Sequence, residues 1–106
     1  MTKYTRKLTQ NILRRALTKL GHNGEHWTKG TYHIVEDGLD KYCAVGALSR
    51  STTSSRLYNY AESALRRVDM KGYTSILGYN DSAQHTFTDI RNLFNRAIKS
   101  LEKEIQ

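Results

Sequence analysis

Two arginines that enclose a run of hydroxyl side chains make residues 50–56 the most specific candidate for an anion-binding site. Arg50 and Arg56 lie on either side of five consecutive serines and threonines. This run immediately precedes a predicted helix, so free backbone N–H groups, the hydroxyls of Ser54 and Ser55, and the two guanidinium groups could bind one phosphate. The alternative is that the hydroxyls only cap the helix and that the arginines are solvated.

The predicted helix adds an aromatic ring and a further cation to this candidate site. Tyr60 follows Arg56 by four residues and Arg67 follows it by eleven, spacings that place all three on one helical face. An aromatic ring beside cations suits a ligand that has a base to stack and a phosphate to neutralise. A nucleotide-type ligand is therefore the small molecule that this region favours.

The excess positive charge is concentrated in the first 20 residues. Seventeen lysines and arginines against ten acidic residues give the chain a formal charge of +7, and residues 1–20 hold six of these cations and no acid. The remaining residues, 21–106, carry a net charge of +1. Such a segment favours an anionic partner, either nucleic acid or an acidic protein. The alternative is a solvated face that only confers solubility.

A basic stripe is predicted along the helix of about residues 5–20. At about 100° per residue, Lys3, Lys7 and Arg14 lie together on one side, flanked by Gln10 and Thr18. The opposite side carries an apolar stripe that faces the core, formed by Leu8, Ile12, Ala16, Leu17 and Leu20. We predict that Lys3, Lys7 and Arg14 form the contact surface for nucleic acid or for a protein partner.

Three residues in predicted loops are candidates for lining a pocket. Trp27 is the only tryptophan, and Asn80 and Asp81 form a pair that precedes the last helix. A fixed amide and a carboxylate beside an indole ring can orient a polar ligand. The alternative, which we favour, is that the pair bonds its own backbone and fixes the entry to the helix, as Asn and Asp commonly do in turns.

Cys43 is the only cysteine, and a histidine base could activate it as a nucleophile. His22, His26 and His33 could join it in a zinc site, but the spacing matches no recognised tetrad and only one thiolate is available. The surrounding run of small apolar residues is typical of a close-packed, buried element. We therefore predict no catalytic residue, no metal site and no cofactor.

Length and composition indicate a single domain. A chain of 106 residues has room for one modest core, so residues 1–106 are treated as one unit. One cysteine permits no internal disulfide, which fits a reducing compartment. No segment has the ~20 consecutive apolar residues of a membrane span. The expectation is a cytoplasmic protein without membrane contact, and nothing indicates its oligomeric state.

Apolar periodicity predicts a mainly α fold of three to four helices. An ordered loop over residues 21–41 follows the N-terminal helix, and the helical core spans about residues 43–105. Within that core, one helix is predicted over about 56–68. The last helix begins at Phe87, where Thr86 and Asp89 have the spacing of a capping box.

Two short segments are harder to assign. The turn signal at residues 36–38 permits a short β-hairpin near residues 31–45. Residues 42–45 are equally compatible with the first turn of a helix that reaches Leu48. A short extended piece is predicted at residues 73–77, inside the irregular segment that joins the last two helices.

Several short elements, taken in order, resemble a group of small phage and prophage proteins of unknown function. Members typically carry a Y-C-x-x-G-x-L element in the first half and an N-D pair followed by a T-F-x-x-I or S-F-x-x-I helix start. The matching elements here are Trp27-x-x-Gly30, Asp37-Gly38, Tyr42-Cys43-Ala44-Val45-Gly46-Ala47-Leu48, Asn80-Asp81, Thr86-Phe87-x-x-Ile90 and Ala97-Ile98. The resemblance covers residues 27–98 and implies a phage origin and an intracellular accessory role. It implies no activity and no catalytic residue.

Together these observations predict a protein that acts by binding and not by catalysis. The expected partner is anionic, either nucleic acid along the basic stripe or a nucleotide-type ligand near Arg50, Arg56 and Tyr60. By analogy with phage accessory proteins, such binding would counter a host defence system. One alternative is a protein–protein inhibitor whose basic face meets an acidic host protein, and a second is a small enzyme that depends on Cys43.

Overall fold

The computed structural model describes residues 1–105. The chain is mainly helical with one small antiparallel hairpin, which confirms the predicted fold class. The three longest helices are those that the periodicity predicts, and two six-residue helices complete the set. The elements in chain order are α1 (Lys3–Leu20), β1 (His33–Glu36), β2 (Leu39–Tyr42), α2 (Ala44–Ser49), α3 (Ser55–Arg67), α4 (Ile76–Asp81) and α5 (Phe87–Ile105).

The core lies where α1, α3 and α5 pack against one another, with α2 closing one side. Each long helix contributes one buried apolar stripe, as helical periodicity requires. The largest fully buried side chains of this core include Leu13, Leu20, Leu48, Leu65, Ile90, Leu93, Phe94 and Leu101. None of the helices described over residues 1–105 is long and apolar enough to cross a membrane.

The N-terminal helix is more deeply covered than the sequence predicts. Gln10, predicted beside the basic stripe, is 3% exposed. Its amide donates to the backbone oxygen of Ile98 at 2.9 Å and to Oε2 of Glu102 at 2.9 Å. The prediction was wrong because α5 packs over this side of α1, which narrows the face of the helix that remains in water. Leu8 and Leu17, predicted to face the core, are only half-buried.

Both alternatives for the segment after the turn are partly realised. β1 and β2 pair with His33 opposite Tyr42. Asp37 and Gly38 connect them with φ of 53° and 78°, and an Asp-Gly pair suits a two-residue turn that needs positive φ at both positions. The strand ends at Tyr42 and α2 begins at Ala44. A run this short could not be assigned by periodicity, since each alternative explains half of it.

The extended piece predicted at residues 73–77 is wrong, because helix α4 begins at Ile76. Ser75 caps this helix, and its hydroxyl accepts a hydrogen bond from the backbone N–H of Gly78 at 3.0 Å. Ile76, Tyr79 and Asn80 are buried, at the i, i+3, i+4 spacing of one helical face. Long-range packing of that face stabilises a helix that is too short for its local pattern to predict.

Candidate functional site

The C-terminal half of α1 and the turn after α2 enclose an open cleft of ≈ 540 Å³. Four of its lining side chains are cationic, and none is acidic. We call this site the basic cleft; its lining residues are Asn11, Arg14, Arg15, Thr18, Lys19, Arg50 and Ser51. It joins Arg14 of the predicted basic stripe to Arg50 of the predicted phosphate site, two residues that the sequence placed in separate candidate sites.

Helix geometry places the α1 side of the basic cleft. Arg14 and Thr18 are four residues apart, and so are Arg15 and Lys19, so the four side chains form two adjacent rows on the helix surface. All four are exposed. Lys19 lies in the last turn of α1, where the helix dipole favours a cation.

Close packing of α2 against α1 positions the other side of the basic cleft, which Arg50 and Ser51 form. Ala44, Ala47 and Leu48 are fully buried, and small alanine side chains let two helices approach closely. The backbone N–H of Arg50 donates to the oxygen of Gly46 at 3.1 Å. The hydroxyl of Ser51 donates to the oxygen of Ala47 at 2.7 Å. Arg50 therefore extends into the cleft from a backbone that is hydrogen-bonded to a packed helix.

The positive charge of the basic cleft is not neutralised within the described chain. Over residues 1–105, none of its four cations forms an ion pair with an acidic side chain. The start of α1 differs, because Arg6 pairs with Glu104 at 3.2 Å and Gln10 contacts Glu102. Acidic side chains of α5 thus contact the first half of α1, whereas the four cations of the basic cleft have no acidic residue in their common lining.

Arg14 lies between the basic cleft and a second cleft of ≈ 490 Å³ formed by α1 and α5. The two clefts share Arg14 and Thr18, and the second adds Arg91 of α5. Five cations therefore line two adjoining clefts. Lys3 and Lys7, the other predicted members of the stripe, are exposed on α1 but line neither cleft.

The structure divides the predicted phosphate site at residues 50–56. Arg50 lines the basic cleft, whereas Ser54 and Ser55 line a hydroxyl-rich pocket of ≈ 380 Å³. Ser54 is the N-cap of α3, and its hydroxyl accepts a hydrogen bond from the backbone N–H of Leu57 at 3.2 Å. Neither Arg50 nor Arg56 lines the hydroxyl-rich pocket. The capping role that we gave as the alternative is therefore present.

The remaining residues of that candidate site lie along α3. The Nε of Arg56 donates to the hydroxyl of Tyr60 at 3.1 Å, and the guanidinium carbon lies 5.5 Å from the ring centroid. Arg67 is exposed at the last residue of α3, about 18 Å along the helix from its first residue. The structure thus pairs Arg56 with Tyr60 and places Arg67 apart from both Arg50 and the hydroxyl-rich pocket.

Trp27, Asn80 and Asp81 do come together, in a network that the protein itself satisfies. Asn80 Oδ1 accepts from the indole N–H of Trp27 at 2.8 Å and from the backbone N–H of Ala44 at 3.0 Å. Its amide nitrogen donates to the oxygen of Thr28 at 3.1 Å and to Oδ1 of Asp81 at 2.8 Å. Two acceptor sites and two donors exhaust the capacity of an Asn amide, so none remains for a ligand.

Asp81 extends the same network to the loop before the hairpin. Its Oδ1 also accepts from the backbone N–H of Gly30 at 3.0 Å. Close by, the ammonium group of Lys29 donates to the backbone oxygens of Ser82 and His85 at 2.6 and 2.8 Å. These contacts connect the 27–30 loop to α4 and to the start of α2. The pair is therefore structural, but its partners are distant backbone groups and not the entry to the last helix that we gave as the alternative.

Cys43 is the N-cap of α2 and is only 1% exposed. Its Sγ accepts a hydrogen bond from the backbone N–H of Gly46 at 3.3 Å. Burial raises the pKa of the thiol above its ordinary value, so the neutral form is favoured at neutral pH. A nucleophilic cysteine needs the opposite, an accessible thiol with a lowered pKa.

We expect iodoacetamide to alkylate Cys43 at least about a hundredfold more slowly in the folded protein than in urea, because the reaction must wait for opening of the fold. Timed alkylation followed by mass spectrometry measures the two rates. Equal rates in the two states would mean that Cys43 is accessible.

The raised pKa of Cys43 also predicts that the free energy of unfolding falls above about pH 9, where the thiol of the unfolded protein ionises first.

Two of the histidines considered for a zinc site, His26 and His33, have other partners. His26 Nδ1 lies 2.7 Å from the backbone oxygen of Asp40, and His33 Nε2 lies 2.7 Å from its carboxylate. The ring of His33 also stacks on Tyr42, with centroids 4.8 Å apart. Among residues 1–105, no three His, Cys, Asp or Glu side chains are grouped so that they could hold a metal ion.

Arg15 and Lys19 are the members of the basic cleft that sequence reasoning missed. The helical wheel singled out Lys3, Lys7 and Arg14 because they lie within a narrow arc. The available signal was the i, i+4 pair of Arg15 and Lys19 beside that of Arg14 and Thr18. Its importance depends on Arg50, which only the packing of α2 brings to the same place.

Of three comparisons with known proteins, only the one with family models finds a match. No curated protein matches it, and no solved structure matches it. A family model matches residues 5–100, which covers the hairpin, α2, α3 and α4 and most of α1 and α5. The chain therefore belongs to the family of unknown function DUF6197.

Proposed function

We propose that this protein is a non-catalytic accessory protein of phage type that binds a phosphate-bearing partner, nucleic acid or a nucleotide-type ligand, in the basic cleft. The observation that carries the proposal is the convergence of four cations, from α1 and from the turn after α2, on one cleft without an acidic lining residue. The resemblance of residues 27–98 to small phage proteins supports the phage origin and the accessory role, and the role against a host defence system is proposed by analogy with phage accessory proteins.

The chemistry of the lining suits phosphate. Three of the four cations are arginines, and a guanidinium group can bind two phosphate oxygens at once. Asn11, Thr18 and Ser51 add polar side chains to the same lining. Like charges gathered in one place repel one another, so a bound polyanion would relieve this repulsion and gain affinity from it.

A thermal-shift experiment on the full chain tests the proposal. The probes are inorganic triphosphate, nucleotides, a short single-stranded oligonucleotide and polyglutamate, each at low and at high salt. A phosphate ligand at a hundred times its dissociation constant is expected to stabilise the fold by about 2.7 kcal/mol, and the shift in Tm should shrink as salt increases. Polyglutamate stands for an acidic protein surface and is expected to give a smaller shift than the phosphate probes.

Two results contradict the proposal. If no phosphate probe changes Tm at low salt, the basic cleft is a solvated face. If polyglutamate stabilises the protein more than every phosphate probe, the partner is an acidic protein surface, and the protein–protein inhibitor replaces the phosphate binder.

A further inference from the structure

A further pocket, distinct from the α1–α5 cleft and from the hydroxyl-rich pocket, adjoins the basic cleft and contributes aromatic side chains. It measures ≈ 330 Å³, and Arg50 lines both it and the basic cleft. We call it the tyrosine pocket, after its lining residues Tyr32 and Tyr58; Val45 also contributes to its lining. The cationic side chain of Arg50 therefore lies at the boundary between the basic cleft and a pocket with two tyrosines.

Two packed elements position the tyrosines. Tyr32 precedes β1, and its backbone oxygen lies so close to Gly46 of α2 that any side chain at position 46 would collide with it. Tyr58 belongs to the first half of α3 and is partly buried. Val45 of α2 lines the same pocket. The missing side chain at Gly46 thus lets the segment of Tyr32 rest directly on α2.

The two tyrosines differ in exposure. Tyr32 is 59% exposed, although its side chain is large and mostly apolar. Burial, followed by the charge of Glu62 and a hydrogen bond with it, raises the pKa of Tyr58 to about 12, so its hydroxyl is neutral at neutral pH. An exposed ring and a second, partly buried ring that line one pocket suit a flat ligand.

We propose that the tyrosine pocket receives a nucleobase whose phosphate is bound at Arg50 in the basic cleft. This inference rests on the proposed function and makes its ligand more specific, a nucleoside phosphate unit and not any polyanion. Stacking of a base on an aromatic side chain tolerates any sequence, since every base has a flat face. A base that is paired inside a duplex cannot stack in this way, so the unit belongs to a single strand or to a free nucleotide.

The test compares probes with and without bases on the full chain. Fluorescence anisotropy gives the affinity for a labelled single-stranded oligonucleotide and for an abasic oligonucleotide of equal length. Competition by a nucleoside triphosphate and by inorganic triphosphate distinguishes a free nucleotide from a strand. The variants are Tyr32→Ala and, as a matched control, Val35→Ala, which removes an exposed apolar side chain of the same hairpin that lies outside the tyrosine pocket.

We expect the base-containing oligonucleotide to bind about tenfold more tightly than the abasic one. Tyr32→Ala should remove this preference and leave the affinity for the abasic probe unchanged, whereas Val35→Ala should keep it. If the nucleoside triphosphate competes better than inorganic triphosphate, a free nucleotide is sufficient for binding. Equal binding of both oligonucleotides by the unmodified protein overturns the base site and leaves the proposed function standing. Failure of every probe to bind overturns both.

Discussion

Replacing Asn80 with alanine is expected to lower the free energy of unfolding by about 3–5 kcal/mol. The substitution removes four hydrogen bonds. It leaves the indole N–H of Trp27 and the backbone N–H of Ala44 without their acceptor in an interior where Asn80 is fully buried. Each unsatisfied buried group costs about 1–3 kcal/mol, and water entering the cavity offsets only part of that cost.

Urea denaturation measures this effect, with Asn92→Ala as the matched control. Asn92 is an exposed residue of α5, and its replacement should change the free energy of unfolding by no more than about 0.5 kcal/mol. Asn80→Asp separates the two halves of the network, since it keeps the acceptor oxygen but places a carboxylate against Asp81. That variant should be destabilised at neutral pH and should recover in part as the pH falls and the new carboxyl is protonated. Equal stability of Asn80→Ala and Asn92→Ala would mean that the network does not hold the loop.

Removing two charges from the basic cleft is expected to weaken binding of a single-stranded oligonucleotide by about a hundredfold. The double variant Arg14→Gln and Arg50→Gln deletes one cation from each side of the cleft. Each charged hydrogen bond is worth about 1.5–3 kcal/mol, and about 1.4 kcal/mol is tenfold in affinity. Because both side chains are exposed, Tm should change little.

The matched control is the double variant Lys3→Gln and Lys7→Gln. It removes the same net charge, but both residues lie on α1 and outside the cleft. Its affinity should stay within about threefold of the unmodified protein, because only the general field is reduced. If both double variants lose affinity equally, the protein attracts anions through its net charge and not through the cleft.

Much of the fold could be predicted from the sequence because long amphipathic helices have strong periodicity. The stripe of α5 and the capping contact between the backbone N–H of Thr86 and Asp89 Oδ2, at 2.8 Å, follow from local spacing alone. The burial of Gln10 could not be predicted from local spacing, since it depends on where α5 packs. Helix α4 could not be predicted either, because its six residues are stabilised by buried contacts that are distant in sequence.

The candidate site was less predictable than the fold, for the same reason. Arg14 and Arg50 are both recognisable in the sequence as members of basic motifs, but 36 positions separate them. Only the packing of α2 on α1 brings them to one cleft. The Asn80 network likewise joins residues that are 36 to 53 positions apart. Local patterns identify residue types that can do chemistry, and tertiary packing decides which of them meet.

The salt dependence of oligonucleotide binding shows whether the basic cleft binds phosphate, because its slope reports how many phosphates the protein neutralises. If all four cations of the basic cleft bind phosphate, the logarithm of the association constant should fall with the logarithm of salt concentration at a slope of about −2.8 for a single strand. The Arg14→Gln and Arg50→Gln double variant should halve that slope to about −1.4. An equal slope for the variant and the unmodified protein would contradict phosphate binding in the cleft.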